Sequence, residues 1–386
     1  MQEGSIICAQ GNKTLYYDNN LKILYVFGIR DNSNLYLING SKQTEIKPFQ
    51  SIAHTYAHLY NIITDSLYLV ANGPNCTIFG NKSNYDNYFF GSNLYARIFM
   101  SIPSYNWPHY SCSRTHIAVL HGHPDPDEGE PYWLLVINTD PDSQQTSHDD
   151  IKEAFRLPTS EDDSYEIFCG NNCTFFLHED GRIFQIMLHK YLQQKGYSCP
   201  ILPEKFNNEI PEDQPKPKKI VSGDEHVMIL YDDGTFDGFG TNSQGQIPSN
   251  SHSAFKREGG YKIGVKDIAC GNKHTLFLLD NGKVVGFGSD TYGQDKSYFP
   301  RPDDRVYQIA CGNEHSLALL SNDMIGWGRY EENQLGNMYF IIRSNLLYYN
   351  ISNFAKSLLK KQQSKGGSKK NSQYIKKISK KLKIKN

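Results

Sequence analysis

Histidines and cysteines at recurring spacing are the first residues here that could do chemistry. His58, His116, His226, His274 and His315 carry imidazoles that could ligate a metal or move protons near neutral pH. Cys112, Cys270 and Cys311 each stand four residues before such a histidine, and Cys169 stands four before Cys173. One local cluster, His116, His121, His123 and Asp125, could form a cation site, since His121 and His123 would share a face if extended. A polar loop is the commoner outcome for such a segment. The eight cysteines include no CxxC pair, which argues against structural zinc. The chain also lacks a phosphate loop, a dinucleotide fingerprint, a GxSxG elbow and an HExxH helix. The expectation is a chain that is not an enzyme in the bond-making sense, with no catalytic residue, no metal and no cofactor.

The elements that must position these residues form an internal repeat. Its clearest copy runs IACGNKHTLFLL from Ile268, then Asp280-Asn281-Gly282, then Gly286-Phe287-Gly288. It returns as IACGNEHSLALL from Ile309, as IVSGDEHVMILYDDG from Ile220, and as IFCGNNCTFFLHEDG from Ile167 with Cys173 in the histidine place. Upstream, SCSRTHIAVL puts Cys112 and His116 in register; SIAHTYAHLYNIITDS is aligned on His58, and AQGNKTLYYDNN is the weakest copy. The steps from position 58 onward are 58, 57, 53, 48 and 41 residues, and seven units cover about residues 5–340.

Within a unit, LFLL or LALL is apolar on both sides of a strand, which implies burial on both faces. Asn281-Gly282, Asp233-Gly234 and Asp180-Gly181 suit a tight hairpin, and Gly-aromatic-Gly is read as the start of the return strand. Sheets packed face to face around an axis satisfy these demands, so the fold class is all-β, a seven-bladed propeller with a basic, partly helical C-terminal tail. Each repeat histidine is then expected in its own blade, satisfied by backbone groups near the start of a buried strand. The cysteines read as small buried apolar side chains. Residues 338–352 are strand-like and are expected to pair beside residues 5–17 and close the ring, with the first blade lacking its outer strands.

The pattern [IV]-A-C-G-x-x-H-[ST]-L-x-L, x-[DN]-G, W-G-x-x-x-x-G-Q-L-G resembles the RCC1 repeat (regulator of chromosome condensation). Trp327–Gly336, Phe239–Gln246 and Phe287–Gln294 carry the second part of it. The likeness is specific over residues 165–340 and loose over 1–160. It implies an RCC1-like seven-bladed propeller over 1–352 and partners of the kind such propellers take, including a Ran-like small GTPase or histones. An exchange factor of that kind works by binding the nucleotide-free GTPase better than the loaded form. The structural repeat positions are Cys112, His116, Cys169, His226, Cys270, His274, Cys311 and His315.

Charge divides the chain. Residues 356–386 hold 12 lysines and no acid, while the rest holds 28 Lys+Arg against 41 Asp+Glu, a net of −13. Twelve of those acids fall between His123 and Asp163 against Lys152 and Arg156. This acidic insertion (123–163), with one short strand at Tyr132–Asn138, reads either as a solvated insertion or as a docking surface through Asp125, Asp127, Glu128 and Glu130. Its partner would be basic: a histone, a GTPase basic patch or the chain's own tail. A second, Pro-rich insertion (200–219) reads as solvated. The tail (353–386) starts with an apolar stripe. Its later lysines, Lys369, Lys370, Lys376, Lys377, Lys380, Lys381, Lys383 and Lys385, suit a nuclear-import or nucleic-acid arm, a solubilising tail, or a helix on anionic membrane. No transmembrane stretch or secretory leader is legible, so an intracellular monomer in nucleus or cytoplasm, with all cysteines reduced, is expected.

Overall fold

The computed structural model describes residues 5–19, 22–28, 33–39, 42–52, 57–62, 67–73, 76–81, 86–91, 109–113, 116–121, 133–138, 165–170, 173–187, 200–249, 255–256, 262–297, 305–320, 324–331, 335, 340–343 and 346–350. Among them the strands form seven antiparallel sheets of three to five strands, plus a two-stranded ribbon, Phe255–Lys256 with Lys262–Ile263. The acidic residues Asp125, Asp127, Glu128 and Glu130 and the whole tail from 351 lie outside the described residues.

Each blade starts with the same two strands. In the sixth, Val265–Cys270 pairs with His274–Leu279, which pairs with Val284–Gly288. The middle strand is buried at all six positions, as its two-sided apolar run requires. The equivalent middle strands Cys173–His178, His226–Tyr231 and His315–Leu320 are buried throughout as well. Asn281-Gly282 turns the chain back with Gly282 at φ 79°, a conformation a side chain disfavours. Gly-Phe-Gly ends the return strand instead of starting it. Gly286 lies there so close to the following loop that a Cβ would stand 2.0 Å from the Asp295 carbonyl oxygen. The return strand needs glycine because the loop folds back over it.

The first two blades depart from expectation in an instructive way. The first contains Ile6–Gln10, Lys13–Asp18, Ile23–Phe27 and, outside them, Ala57–Asn61 and Gln50–Ile52. It therefore has outer strands, and His58 lies on one of them, paired with Val26. His58 is not a repeat position. The second blade is built on Leu67–Asn72 and Cys76–Asn81, with Asn87–Gly91, Asn34–Asn39 and Lys42–Ile46 outside. Its repeat core is Val70-Ala71-Asn72-Gly73-Pro74-Asn75-Cys76-Thr77, with Cys76 in the histidine place.

Two further expectations are corrected. Trp133–Asn138 is not a strand within a projecting loop; it is the third strand of blade three, paired with His116–His121. Segment 122–132 thus stands where blades four, five and six have a three-residue hairpin loop. Leu346–Asn350 does not pair beside residues 5–17. It pairs with Met324–Gly328 and belongs to the last blade, with Phe340–Arg343 beyond it. The ring closes face to face, blade seven packing on blade one through Leu317, Leu319 and Met324 against Ile7, Tyr16 and Tyr25. The segment 200–219 is also less solvated than its composition suggests. Leu202 and Phe206 are buried in the core between blades four and five, and the Gln185 amide donates to the Pro200 carbonyl and accepts from Leu202 N–H.

Candidate functional site: the stapled ring and its two faces

The innermost strands of all seven blades line one central channel of about 320 Å³. Cys112, Cys169, Cys270 and Cys311 sit at its wall, one residue before the turn into the buried middle strand. Burial pushes the Cys169 and Cys270 thiols up to about 12, so neither is a thiolate near neutral pH. Those of Cys112 and Cys311 are raised further by the same cause.

The repeat histidines stay in separate blades but reach across to the next one. Nε2 of His116 lies 3.0 Å from Thr174 Oγ1, and that of His226 lies 2.9 Å from Thr275 Oγ1. His274 Nε2 is 3.1 Å from Ser316 Oγ, and His315 Nε2 is 3.1 Å from Thr14 Oγ1 across the ring closure. The expected backbone partners for these side chains therefore give way to a neighbouring hydroxyl. At His274 the tautomer follows: Ser316 donates its one hydroxyl proton to the Gln294 carbonyl at 2.7 Å, so it accepts from His274 Nε2–H.

A signal for this was present. The hydroxyl lies one residue after the histidine place, as Thr14, Thr174, Thr275 and Ser316. Where the place holds cysteine, the next blade lacks the hydroxyl: Cys76 precedes a blade carrying Ile117, and Cys173 precedes one carrying Val227. Burial drives all four histidines toward neutrality, His226 to about 4 and His116, His274 and His315 to about 3.

Other bridges reinforce the ring. The Gln308 amide donates to the Ile7 carbonyl at 2.9 Å and accepts from Ile7 N–H at 3.1 Å, joining blade seven to blade one. In the equivalent place, Lys219 pairs with Asp267 of the next blade at 2.5 Å. Backbone bonds Asp224 N to Asn272 O, Asn272 N to Asn313 O and Asn313 N to Gly11 O belt the channel mouth. No group of three or more metal-ligating side chains comes together among the described residues. His116 is engaged with Thr174, while His123 and Asp125 of the supposed cation cluster lie outside the described residues. Cys173 is disulfide-bonded, which overturns the expectation of eight reduced thiols; Cys8, Cys76, Cys112, Cys169, Cys270 and Cys311 are free.

The ring has two faces. One carries the turns out of the innermost strands and the loops after each Gly-aromatic-Gly; the other carries the Asp-Gly and Asn-Gly hairpins. On the first face, Tyr292 (37% exposed) and Tyr330 (51%) flank Arg329, whose guanidinium lies 5.3 Å from the Tyr292 ring centre and pairs with Glu314 and Glu331. On the second face Tyr307 is exposed beneath Arg305. Exposed tyrosine beside arginine is the composition that dominates protein–protein contact energies. Composition alone did not single out this cluster, because the tyrosines come from two blades.

Seven hairpin-built blades, joined by their own repeat residues around a channel, define a closed β-propeller. A model of the regulator of chromosome condensation (RCC1) repeat matches residues 265–294, from the innermost strand of blade six to the loop that carries Tyr292. No curated protein matches the sequence. Among solved structures, human WBSCR16 superposes with a TM-score of 0.50 at 14% identity, covering 84% of this chain and 94% of that one. A structure of Kap60 bound to yeast RCC1 (Prp20) gives 0.43 at 16%, covering 86% and 72%. Prp20p from Saccharomyces cerevisiae, described with its binding properties to Gsp1p and histones, gives 0.42 at 15%, covering 90% and 77%. The chain folds as a β-propeller, and its residues 265–294 match the RCC1 repeat. Among the described residues, no helix is long and apolar enough to cross a membrane.

Proposed function

We propose that this propeller is a non-catalytic interaction platform that takes a protein partner on the face carrying Tyr292, Arg329 and Tyr330. The observation behind this reading is the division of labour in the side chains. The repeat histidines His116, His226, His274 and His315 are buried and spent on holding blades together, whereas large aromatics stand exposed across two adjacent blades around a half-buried, paired arginine. The acidic residues Asp125, Asp127, Glu128 and Glu130 belong to the connection between two strands of blade three and offer a second contact for a basic partner. The lysine-rich segment 353–386 is an appended arm for nucleic acid or an import receptor, outside a propeller spanning 1–352.

A second reading, exchange factor for a Ran-like GTPase, is favoured by the repeat match at 265–294. Exchange of this kind requires only differential affinity for the nucleotide-free GTPase. Release of a fluorescent guanine nucleotide from a Ran-type GTPase separates the two readings. The platform reading expects no acceleration at micromolar propeller; acceleration that is lost in Tyr292→Ala/Tyr330→Ala would establish exchange instead.

A further inference from the structure

We propose that Cys76 and Cys112 are an oxidation site at which a reversible disulfide locks the second blade to the third. The two Sγ atoms lie 2.8 Å apart across the blade boundary. A disulfide needs them at about 2.05 Å, so a small side-chain movement suffices. Both are free thiols and both are buried.

The position explains the pairing. Cys76 occupies the place from which a histidine reaches the neighbouring blade elsewhere in the ring, and the hydroxyl it would reach is replaced by Ile117. This boundary therefore lacks the imidazole–hydroxyl link present at four others. The other boundary with cysteine in that place is instructive, because Cys173 there is disulfide-bonded. Cysteine at the staple position thus goes with a cysteine partner in both cases. The backbones permit close approach as well: at Gly73 an added Cβ would stand 2.6 Å from the Cys112 carbonyl oxygen and 2.7 Å from its Cβ.

Cys112 also lines the central channel, which gives a small oxidant a route to it. With hydrogen peroxide, the Cys112 sulfur attacks one peroxide oxygen as its thiol proton passes to the departing oxygen, breaking the O–O bond and leaving a sulfenic acid and water. The Cys76 sulfur then displaces the sulfenic oxygen as a second water. Two thiols and one peroxide become one disulfide and two waters, the sulfur pair losing two electrons and the peroxide gaining them. Dithiothreitol reverses the change by thiol exchange.

The test uses the full chain, reduced, freed of reductant and treated with a small excess of hydrogen peroxide. Free thiols are then alkylated and the digest is read by mass spectrometry. The expected result is a linked pair of peptides carrying Cys76 and Cys112, absent after dithiothreitol and absent from C76S and C112S. The two cysteines are separated by 36 positions, and a cross-link of that span lowers the unfolding equilibrium constant roughly 10²–10³-fold in the loop-entropy account. The oxidised wild type should therefore resist urea more than identically treated C76S. Stoichiometric alkylation of both cysteines after oxidation, in a chain still folded by circular dichroism, would overturn the proposal. So would linkage of either one to a different cysteine. The wild-type peptide map decides the matter even if a variant fails to fold.

Discussion

Lowering the pH from 7 to 5 should destabilise this ring far more than its surface charges would suggest. His116, His226, His274 and His315 sit neutral and buried, with folded values of about 3 to 4 against 6.5 in an open chain. Between those limits the unfolded chain binds protons that the folded chain refuses, so stability falls as pH falls through 6.5 and keeps falling toward 4. At pH 5 each histidine removes about 2 kcal/mol, and the four together about 8 kcal/mol. A typical domain is stable by only about 5–15 kcal/mol, so acid unfolding near pH 5 is expected. Asp295 acts oppositely: burial and its hydrogen bond with Asp290 raise it to about 6, but it is partly exposed and offsets only a fraction. Urea unfolding followed by fluorescence of the buried Trp327 at several pH values measures the slope. His274→Gln keeps an amide N–H to donate to Ser316 and cannot titrate, so its loss between pH 7 and 5 should be smaller by about 2 kcal/mol. Stability that is flat or rises from pH 7 to 5, or a His274→Gln slope equal to wild type, would refute the argument.

Two substitutions probe the same architecture at single positions. Thr275→Val removes the hydroxyl facing His226 without changing side-chain shape, leaving a buried nitrogen unpartnered; urea unfolding should show a loss of about 1–3 kcal/mol. Gly286→Ala should be far more damaging than Gly245→Ala in the same assay. A Cβ at Gly286 meets the Asp295 carbonyl at 2.0 Å, whereas at Gly245 it meets nothing within 4 Å and only its positive φ opposes it, at about 1 kcal/mol.

The later blades were legible because three independent signals coincide there. Around His226, His274 and His315 the staple residue, the two-sided apolar strand and the Gly-aromatic-Gly of the return strand all recur in register. In blade two the first signal fails: Asn72 replaces the usual cysteine and Cys76 the histidine, so SIAHTYAH, which has the right letters on an outer strand, draws the alignment to His58. In blade three the segment 122–132 replaces the short turn and detaches Trp133–Asn138 from its sheet. Outer strands such as Ala57–Asn61 and Leu346–Asn350 carry no repeat motif. Their partners are chosen by edge availability, which is a property of the assembled sheet. The staple was half legible, since the histidine is conspicuous and its hydroxyl is supplied 42 to 58 residues away, or 301 across the ring closure. The Tyr292–Arg329–Tyr330 cluster required three-dimensional adjacency of two blades.

Cross-linking of the propeller to the partner it captures, with an amine-reactive reagent and mass-spectrometric mapping, tests the interaction platform most directly. Lys273 and Lys296 flank the Tyr292 loop, while Lys218 and Lys266 stand exposed on the hairpin face. Partner cross-links concentrated at Lys273 and Lys296, and lost in Tyr292→Ala/Tyr330→Ala, are the predicted result. Cross-links confined to Lys218 and Lys266, unchanged in that variant, would contradict it.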